Sequence, residues 1–227
     1  MSVTVIDYGL GNLHSVLKGL AKVGVAAQVA DNAEGIASAE RLILPGVGAF
    51  ADGMAGLRRR GQIPALRAAV AAGVPLMGIC LGMQLLFDSS EEFGLHQGLG
   101  FIPGAVTRIP TGAASDGTEA ARVKVPHVGW NRLHAPAGRD WAGSFLAGTA
   151  PGAWAYFVHS FRAEAADPAD VLAACTYGPH RIAAAVRRGS VVGCQYHPEK
   201  SGEAGLAMLA AFGAAPSPVR SAVTAAI

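Results

Sequence analysis

The residues best suited to chemistry begin with a cysteine placed between two glycines. Cys80 stands in the segment Gly78-Ile79-Cys80-Leu81-Gly82, after an apolar run and before a helical pattern. A nucleophile flanked by glycines at a strand-to-helix turn is typical of the elbow of hydrolases, where glycine permits a sharp turn and close packing. Free N–H groups at the start of the following helix favour the thiolate. The alternative is a cysteine that only fills an apolar core.

A histidine and a glutamate two positions apart supply the next chemical groups. His197, Pro198 and Glu199 directly follow an apolar run, residues 191–196. Histidine can take a proton from a thiol and give it to a leaving amine, and a carboxylate fixes the histidine tautomer. A surface pair is the alternative for an isolated His-x-Glu. Because His197 and Glu199 follow a predicted strand in a chain that also has a cysteine elbow, we predict that they form a triad with Cys80.

A glycine loop provides candidate donors to a developing oxyanion. The segment Pro45-Gly46-Val47-Gly48 follows a predicted strand, and its glycines allow backbone N–H groups to approach a ligand. We predict that the N–H groups of Val47 and Leu81 form an oxyanion hole. The alternative is an ordinary glycine turn. The segment does not match a dinucleotide-binding fingerprint, because Ala51 stands where the third glycine is needed.

Composition restricts the class of protein. The 227 residues are 51% hydrophobic and 15% charged, with a formal net charge of +2. This length can bury a core without disulfides, and the weak charge argues against nucleic-acid binding. The amino terminus does not match a secretory signal. Three cysteines without CxxC spacing argue against a disulfide framework or a zinc site, so we expect a cytoplasmic protein.

One uncharged stretch, residues 68–87, is as long as the ~20 residues of a membrane-spanning helix. Gly73, Pro75 and Gly78 would destabilise a single helix over that length. The stretch therefore predicts a helix end, a buried strand over 74–79 and a second helix over 81–87, with no association with a membrane.

Strands and helices alternate through the first ninety residues or so. The pattern predicts strands at 3–7, 26–30, 41–44 and 74–79, and helices at 12–23, 51–60, 63–72 and 81–87. Further strands are predicted at 105–109, 154–158, 171–176, 182–186 and 191–196, before a helix at 201–212. This order predicts an α/β fold with a mostly parallel central sheet flanked by helices and additional antiparallel strands in the C-terminal half. We expect one domain, 1–213, with a surface excursion at 113–121 and a mobile tail, 214–227.

Six segments resemble, in order, those of the class I (triad-type) glutamine amidotransferases, which have a flavodoxin-like fold. They are IDYGLGNL (6–13), LPGVGAF (44–50), GICLG with Gln84 (78–84), PHVGWN (126–131), YFVHSF (156–161) and HPEKSG (197–202). Within that class they are most similar to the glutaminase subunits of imidazole glycerol phosphate synthase. The resemblance extends from residue 3 to about residue 213. Cys194 departs from the apolar residue usual in the family, and we interpret it as structural.

The resemblance implies a reaction and the residues that perform it. Cys80 would attack the side-chain amide carbon of glutamine, His197 would protonate the departing ammonia, and Glu199 would orient His197. Water would then hydrolyse the thioester to glutamate. Four further residues are implied to bind the substrate: Gly48, Gln84, Ser160 and Phe161. For Gln84 the alternative is a helix neighbour of Cys80 without a ligand. No cofactor and no metal ion are implied.

The resemblance also implies a partner that consumes the ammonia. Glutaminases of this kind form a heterodimer with a cyclase, an (α/β)8 barrel that makes imidazole glycerol phosphate and an aminoimidazole carboxamide ribonucleotide in histidine biosynthesis. Four residues are implied at the cyclase interface: Asn12, Trp130, Asn131 and Lys200. The alternatives are a solvated lysine for Lys200 and core packing for Trp130.

Three other functions fit part of the sequence. The first is a glutaminase of another ammonia-channelling synthase, such as the pyridoxal phosphate synthase, whose oxyanion loop is Gly-Gly-Glu-Ser and which lacks PHVGWN. The second is a cysteine hydrolase of the same architecture, which needs neither Gln84 nor a docking face. The third is a catalytically silent binding module, against which the intact Cys80, His197 and Glu199 argue.

Overall fold

The computed structural model describes residues 2–111 and 123–214. The excursion expected at 113–121 lies outside these ranges, as does the expected tail except for Ala214, which ends the last helix. Within the described ranges, no helix combines the length and the apolar character needed to cross a membrane.

The first half of the chain alternates between strands and helices, as the sequence predicts. The elements are β1 (Ser2–Ile6), α1 (Leu13–Lys22), β2 (Ala26–Ala30), α2 (Ala33–Ala37), β3 (Leu42–Gly46), α3 (Phe50–Arg59), α4 (Gln62–Ala71), β4 (Leu76–Cys80) and α5 (Leu81–Leu85).

The second half consists mainly of strands. The elements are β5 (Phe87–Ser90), β6 (His96–Gln97), β7 (Ile102–Arg108), β8 (His127–Arg132), β9 (Trp154–His159), β10 (Phe161–Ala165), β11 (Val171–Tyr177), β12 (His180–Arg188), β13 (Val191–Cys194) and α6 (Gly202–Ala214). Two short 3-10 helices, Pro168–Asp170 and Pro198–Lys200, connect them.

A seven-stranded sheet in the order β11-β12-β13-β4-β3-β1-β2 forms the centre of the fold. The strands from β13 to β2 run parallel, whereas β11 and β12 pair antiparallel with their neighbours. A four-stranded sheet, β10-β7-β5-β6, and the antiparallel pair β8-β9 complete the fold. The predicted α/β class, with antiparallel strands added in the C-terminal half, is confirmed.

Both faces of the central sheet are covered because side chains alternate along each strand. In β1, Val3 and Val5 pack with Val16 of α1 and Leu209 of α6 on one face. The next residue, Ile6, packs on the opposite face with side chains of α2 to α5. Parallel strands covered in this way contain continuous apolar runs, which explains the uncharged stretch around β4.

Several predicted element boundaries were wrong, and strand pairing explains the shifts. β3 continues to Gly46 because that residue still pairs with Cys80 of β4. The helix after Cys80 ends at Leu85, since Phe87 already pairs with Ile102 of β7. β13 ends at Cys194, two residues before the predicted end. Five elements were not predicted from the sequence: the strands β5, β6, β8 and β10 and the five-residue helix α2.

Candidate active site at the carboxyl ends of three strands

The register of the central sheet brings the predicted catalytic segments together. In the parallel pairs, Gly46 of β3 lies beside Cys80 of β4, and Cys194 of β13 lies beside Ile79. The glycine loop, the cysteine elbow and the His-Pro-Glu segment therefore leave the sheet at the same edge. Binding sites of parallel α/β sheets form at this edge.

The backbone around Cys80 has the geometry of a nucleophile elbow. Cys80 has φ +55° and ψ −109°, a conformation that non-glycine residues adopt rarely and at an energetic cost. A methyl group on Gly78 would lie 2.6 Å from the carbonyl oxygen of Gly82, and one on Gly82 would overlap the carbonyl oxygen of Leu44. Both glycines are thus required for α5 to turn back against β3 and β4.

The Cys80 sulfur lies at the base of a cavity between two polar contacts. Gln195 Nε2 donates to Cys80 Sγ at 3.8 Å, and the thiol donates toward the carbonyl oxygen of Val158 at 3.9 Å. A donor aimed at sulfur stabilises the negative charge of a thiolate. The helix α5 is only five residues long, so it has no long helix dipole, and stabilisation of the sulfur by its first-turn N–H groups stays a prediction.

His197 and Glu199 form a buried pair directly after β13. His197 Nδ1 lies 2.8 Å from Glu199 Oε1, and the two side chains are only 2% and 1% exposed. The His197 backbone N–H donates to the carbonyl oxygen of Tyr156, and its own carbonyl oxygen accepts from Ser201 Oγ. The imidazole is therefore fixed from β9 and from the Pro198–Lys200 turn.

The imidazole of His197 is strongly basic despite its burial. Burial lowers the pKa of His197, but interactions with Cys80 and Glu199 raise it more, to about 9. With Nδ1 directed at Glu199, Nε2 is buried and has no hydrogen-bond partner among the described residues. This nitrogen can take the thiol proton and later return it to a leaving group.

A cavity of about 350 Å³ opens above Cys80 and collects eight of the predicted site residues. They are Val47, Gly48, Cys80, Leu81, Gln84, Ser160, Phe161 and His197. Glu199 lies behind His197 and makes no contribution to the lining. The volume is in the range of small-molecule sites.

The oxyanion donors predicted from the sequence flank the Cys80 side of this cavity. Val47 and Leu81 both line it, one from the glycine loop and one from the first turn of α5. Gly48 has φ +99°, which favours glycine at the position where the loop bends away. Both predicted donors therefore belong to residues that line the cavity containing Cys80, and their convergence on one ligand atom stays a prediction.

Two functional candidates were missed by the sequence analysis. Glu92 lines the cavity, and its Oε2 accepts from the backbone N–H of Phe50 at 2.6 Å. Gln195 donates to Cys80 and accepts at Oε1 from Gln84 Nε2 at 3.0 Å. The spacing of Gln195 two residues before His197 was a usable signal, because alternate residues at a strand end share a face. Glu92 had no comparable signal.

The four predicted interface residues occupy different settings. Trp130 is 53% exposed on the outer face of β8 and packs edge-on against Tyr156 of β9, 5.9 Å between ring centres. Lys200 is exposed beside the triad. Asn12 caps α1 by accepting from the backbone N–H of Ser15, and Asn131 turns its side chain inward to Thr176.

No group of three or more His, Cys, Asp or Glu side chains able to hold a metal ion occurs in residues 2–111 and 123–214. The acidic residues near the cavity, Glu92 and Glu199, are each engaged by a neighbouring nitrogen.

Comparison with known proteins decides the family. The family model described as Glutamine amidotransferase class-I matches residues 4–214. The chain belongs to the class I glutamine amidotransferases. The prediction drawn from the six sequence segments is confirmed.

Curated relatives of this amidotransferase align over nearly their full length. The imidazole glycerol phosphate synthase subunit HisH 1 of Legionella pneumophila (strain Lens) is 42% identical over 212 residues, covering 93% of this chain and 98% of the relative. The corresponding HisH subunit of Methylococcus capsulatus is 47% identical over 213 residues, covering 93% of this chain and 95% of the relative.

Solved structures share the fold of the amidotransferase at low sequence identity. A crystal structure of a glutamine amidotransferase superposes with a TM-score of 0.68 at 19% identity, covering 94% of this chain and 100% of the other. PurLQS from Thermotoga maritima superposes with a TM-score of 0.67 at 20% identity, covering 93% of this chain and 96% of the other.

Proposed function

We propose that this amidotransferase is the glutaminase subunit of an imidazole glycerol phosphate synthase and feeds ammonia to a cyclase partner in histidine biosynthesis. The observation that carries the proposal is the buried His197–Glu199 pair, 2.8 Å apart, in which His197 lines the cavity that holds Cys80 and its Nε2 has no hydrogen-bond partner among the described residues. The HisH relatives at 42% and 47% identity supply the name of the synthase.

The first half of the reaction makes a thioester. Cys80 Sγ attacks the side-chain amide carbon of glutamine, and the C=O electron pair moves to oxygen, where the Val47 and Leu81 N–H groups donate. His197 Nε2 holds the proton of the thiol as an imidazolium stabilised by Glu199. When the C–N bond breaks, His197 delivers that proton to nitrogen and ammonia leaves.

The second half releases glutamate. A water molecule gives a proton to His197 Nε2 and attacks the thioester carbon, and the same two N–H groups stabilise the second oxyanion. The C–S bond then breaks, and the proton returns from His197 to the sulfur. Removing one oxyanion donor in such sites costs about 100- to 1000-fold in rate.

The polar lining of the cavity suits the charged end of glutamine. Gln84 uses its amide nitrogen to donate to the Phe161 carbonyl oxygen at 3.1 Å and to Gln195, so its oxygen remains as the group that can accept from a ligand. Together with the Glu92 carboxylate it provides acceptors for the substrate ammonium group. Ser160 and Phe161 line the same cavity, and we assign the substrate carboxylate to their backbone groups.

The partner docks on the face around the cavity mouth. Exposed apolar side chains of β8 and β9 lie there, including Val128, Trp130 and Val158. Lys200 is exposed, Asn12 lies next to His197 and Glu199, and the Asn131 side chain connects β8 to Thr176 of β11. Such a patch favours a protein interface, and a covered mouth keeps ammonia from solvent, where it would be protonated.

We further propose a single amidotransferase domain, residues 1–213, followed by a tail, and a location in the cytoplasm. The continuous family match over residues 4–214 supports the first assignment. Three free cysteines support a reducing compartment.

Co-purification with the cyclase of the same organism tests the proposed function. We expect a one-to-one complex in which the ribonucleotide substrate of the cyclase accelerates glutamine hydrolysis by this chain. Full glutaminase turnover without the cyclase, or acceleration by the partner of another synthase instead, would contradict the proposal.

A further inference from the structure

Two histidines that the proposed mechanism does not use form a buried pair beside the cavity, and one of them, His159, lines it. His127 begins β8 and His159 ends β9, and the antiparallel register places them opposite each other. His127 Nδ1 lies 3.0 Å from His159 Nε2, and His159 Nδ1 lies 2.8 Å from the carbonyl oxygen of Phe161. The His127 ring is stacked between Phe157 and Tyr177, with ring centres 4.8 and 4.0 Å away.

The backbone determines where the protons of this pair lie. The Phe161 carbonyl can only accept, so His159 carries its proton on Nδ1 and accepts at Nε2. His127 must then donate from Nδ1 and accept at Nε2. Asn131 confirms this polarity from the other end, because its amide nitrogen donates to Thr176 O at 2.8 Å and faces His127 Nε2 at 3.4 Å.

The same Phe161 carbonyl oxygen connects the histidines to the nucleophile. It accepts a second hydrogen bond from Gln84 Nε2, which fixes the orientation of the Gln84 amide. Gln84 in turn donates to Gln195 Oε1, and this leaves Gln195 Nε2 as the donor to Cys80 Sγ. A continuous chain of hydrogen bonds thus extends from Asn131 on β8 to the sulfur, with donors from both directions meeting at the Phe161 carbonyl oxygen.

We propose that His127 and His159, as neutral rings each protonated at Nδ1, are positioning residues that hold the Phe161 carbonyl and thereby orient Gln84 and Gln195 toward substrate and sulfur. The inference rests on the proposed roles of Cys80 and Gln84 in glutamine hydrolysis. A neutral pair suits this task, because it provides directed hydrogen bonds without a second positive charge beside His197.

Two substitutions at His127 separate hydrogen bonding from packing. His127→Phe keeps a ring between Phe157 and Tyr177 but removes the donor to His159. His127→Asn loses the ring but keeps an amide donor near the Nδ1 position. In the complex with the cyclase and its ligand, we expect kcat/KM for glutamine to fall roughly tenfold in His127→Phe, the scale of one lost hydrogen bond, and less in His127→Asn.

Tyr177→Phe is the control, since it keeps the stacked ring and removes only the hydroxyl bond to the Lys124 carbonyl oxygen. A loss in His127→Asn equal to or larger than that in His127→Phe would overturn the proposal in favour of a packing role.

Nitrogen-15 NMR of the wild-type imidazoles provides a readout independent of turnover. We expect both His127 and His159 to be protonated at Nδ1 and unprotonated at Nε2 at pH 7. Protonation at Nε2 in either ring would overturn the chain of hydrogen bonds. A wild-type complex without glutaminase activity would instead contradict the proposed function, and the NMR spectrum would still decide the tautomers.

Discussion

The cavity lies between two groups of buried histidines, one that favours the protonated imidazolium and one that favours the neutral imidazole. On one side, His197 pairs with Glu199, and its pKa is raised to about 9. On the other side, burial lowers the pKa of His127 to about 4 and that of His159 to about 3. All three side chains are nearly inaccessible to solvent, so their degree of exposure does not separate them.

The contrast in pKa shows that the partners of a buried histidine, rather than burial itself, determine its charge. Burial disfavours the imidazolium at all three positions. The pKa of His197 is raised by Cys80 and by the Glu199 carboxylate, whereas the nearest titratable partners of His127 and His159 are each other. One fold therefore maintains a proton-transfer group and a neutral support across a single cavity.

Replacing the nucleophile should cause the largest effect. Cys80→Ser is expected to lower glutaminase kcat by more than about 10⁴-fold, because a hydroxyl is a far weaker nucleophile than a thiolate beside His197. Binding of the cyclase should persist. Cys175→Ala is the matched control, since Cys175 is also buried but lies in β11, away from the cavity. Steady-state glutamine hydrolysis by the complex measures both, and retained turnover in Cys80→Ser would refute the assignment.

Neutralising Glu199 should remove one of the two interactions that raise the pKa of His197, the other being with Cys80. Glu199→Gln is expected to reduce kcat about 10³- to 10⁴-fold, the cost of losing the carboxylate that orients a catalytic imidazole. Because Glu199 raises the pKa of His197, the pH at which the imidazolium loses its proton should fall below about 9. An NMR titration of His197 checks the shift, and an unchanged midpoint would show that the carboxylate has no such role.

Substitutions on the outer face of the β8–β9 pair should weaken binding of the cyclase without changing the catalytic residues. Trp130→Ala is expected to weaken cyclase binding about 10- to 100-fold, as is typical of a central aromatic residue at an interface. Folding stability should change by less than about 0.5 kcal/mol because Trp130 is half exposed. Val29→Ala, an exposed apolar side chain on the edge strand β2, is the control for calorimetric titration with the cyclase. Equal affinities for both variants would argue against the proposed face.

The neutral histidines should make the fold sensitive to acid. Below pH about 6.5, histidines of the unfolded chain bind protons, whereas His127 and His159 of the native protein stay neutral. The free energy of unfolding therefore falls as the pH decreases toward 4. Each histidine contributes a slope of roughly 1.4 kcal/mol per pH unit. Urea unfolding between pH 6.5 and 4.5 should show a shallower loss for His127→Phe than for wild type. Parallel curves would contradict the lowered pKa.

Much of the catalytic site could be predicted from the sequence because its determinants are local. Gly78 and Gly82 flank Cys80 within one turn, and Pro198 joins His197 to Glu199, so each unit is visible without knowledge of the tertiary fold. The parallel orientation of β1, β3 and β4 also follows from alternating apolar runs and helical patterns, whereas their order in the sheet was not predicted.

The remainder depends on contacts between distant segments. His127 and His159 meet only through the register of β8 and β9, and β8 was not predicted at all. Glu92 directly follows β5, which pairs with β7. This pairing places Glu92 next to Phe50 at the start of α3, where it lines the cavity. No local spacing encodes these approaches, which arise from how the second and third sheets pack beside the central one.

Trapping the covalent intermediate is the most direct test that Cys80 is the nucleophile of glutamine hydrolysis. The complex with cyclase and its ligand would be quenched in acid during glutamine turnover, digested, and analysed by mass spectrometry for a γ-glutamyl group on each cysteine peptide. We expect the adduct on Cys80 alone, with Cys175 and Cys194 unmodified, and its disappearance when glutamine is exhausted. Steady turnover with no adduct on Cys80, or with the adduct on another cysteine, would contradict the account.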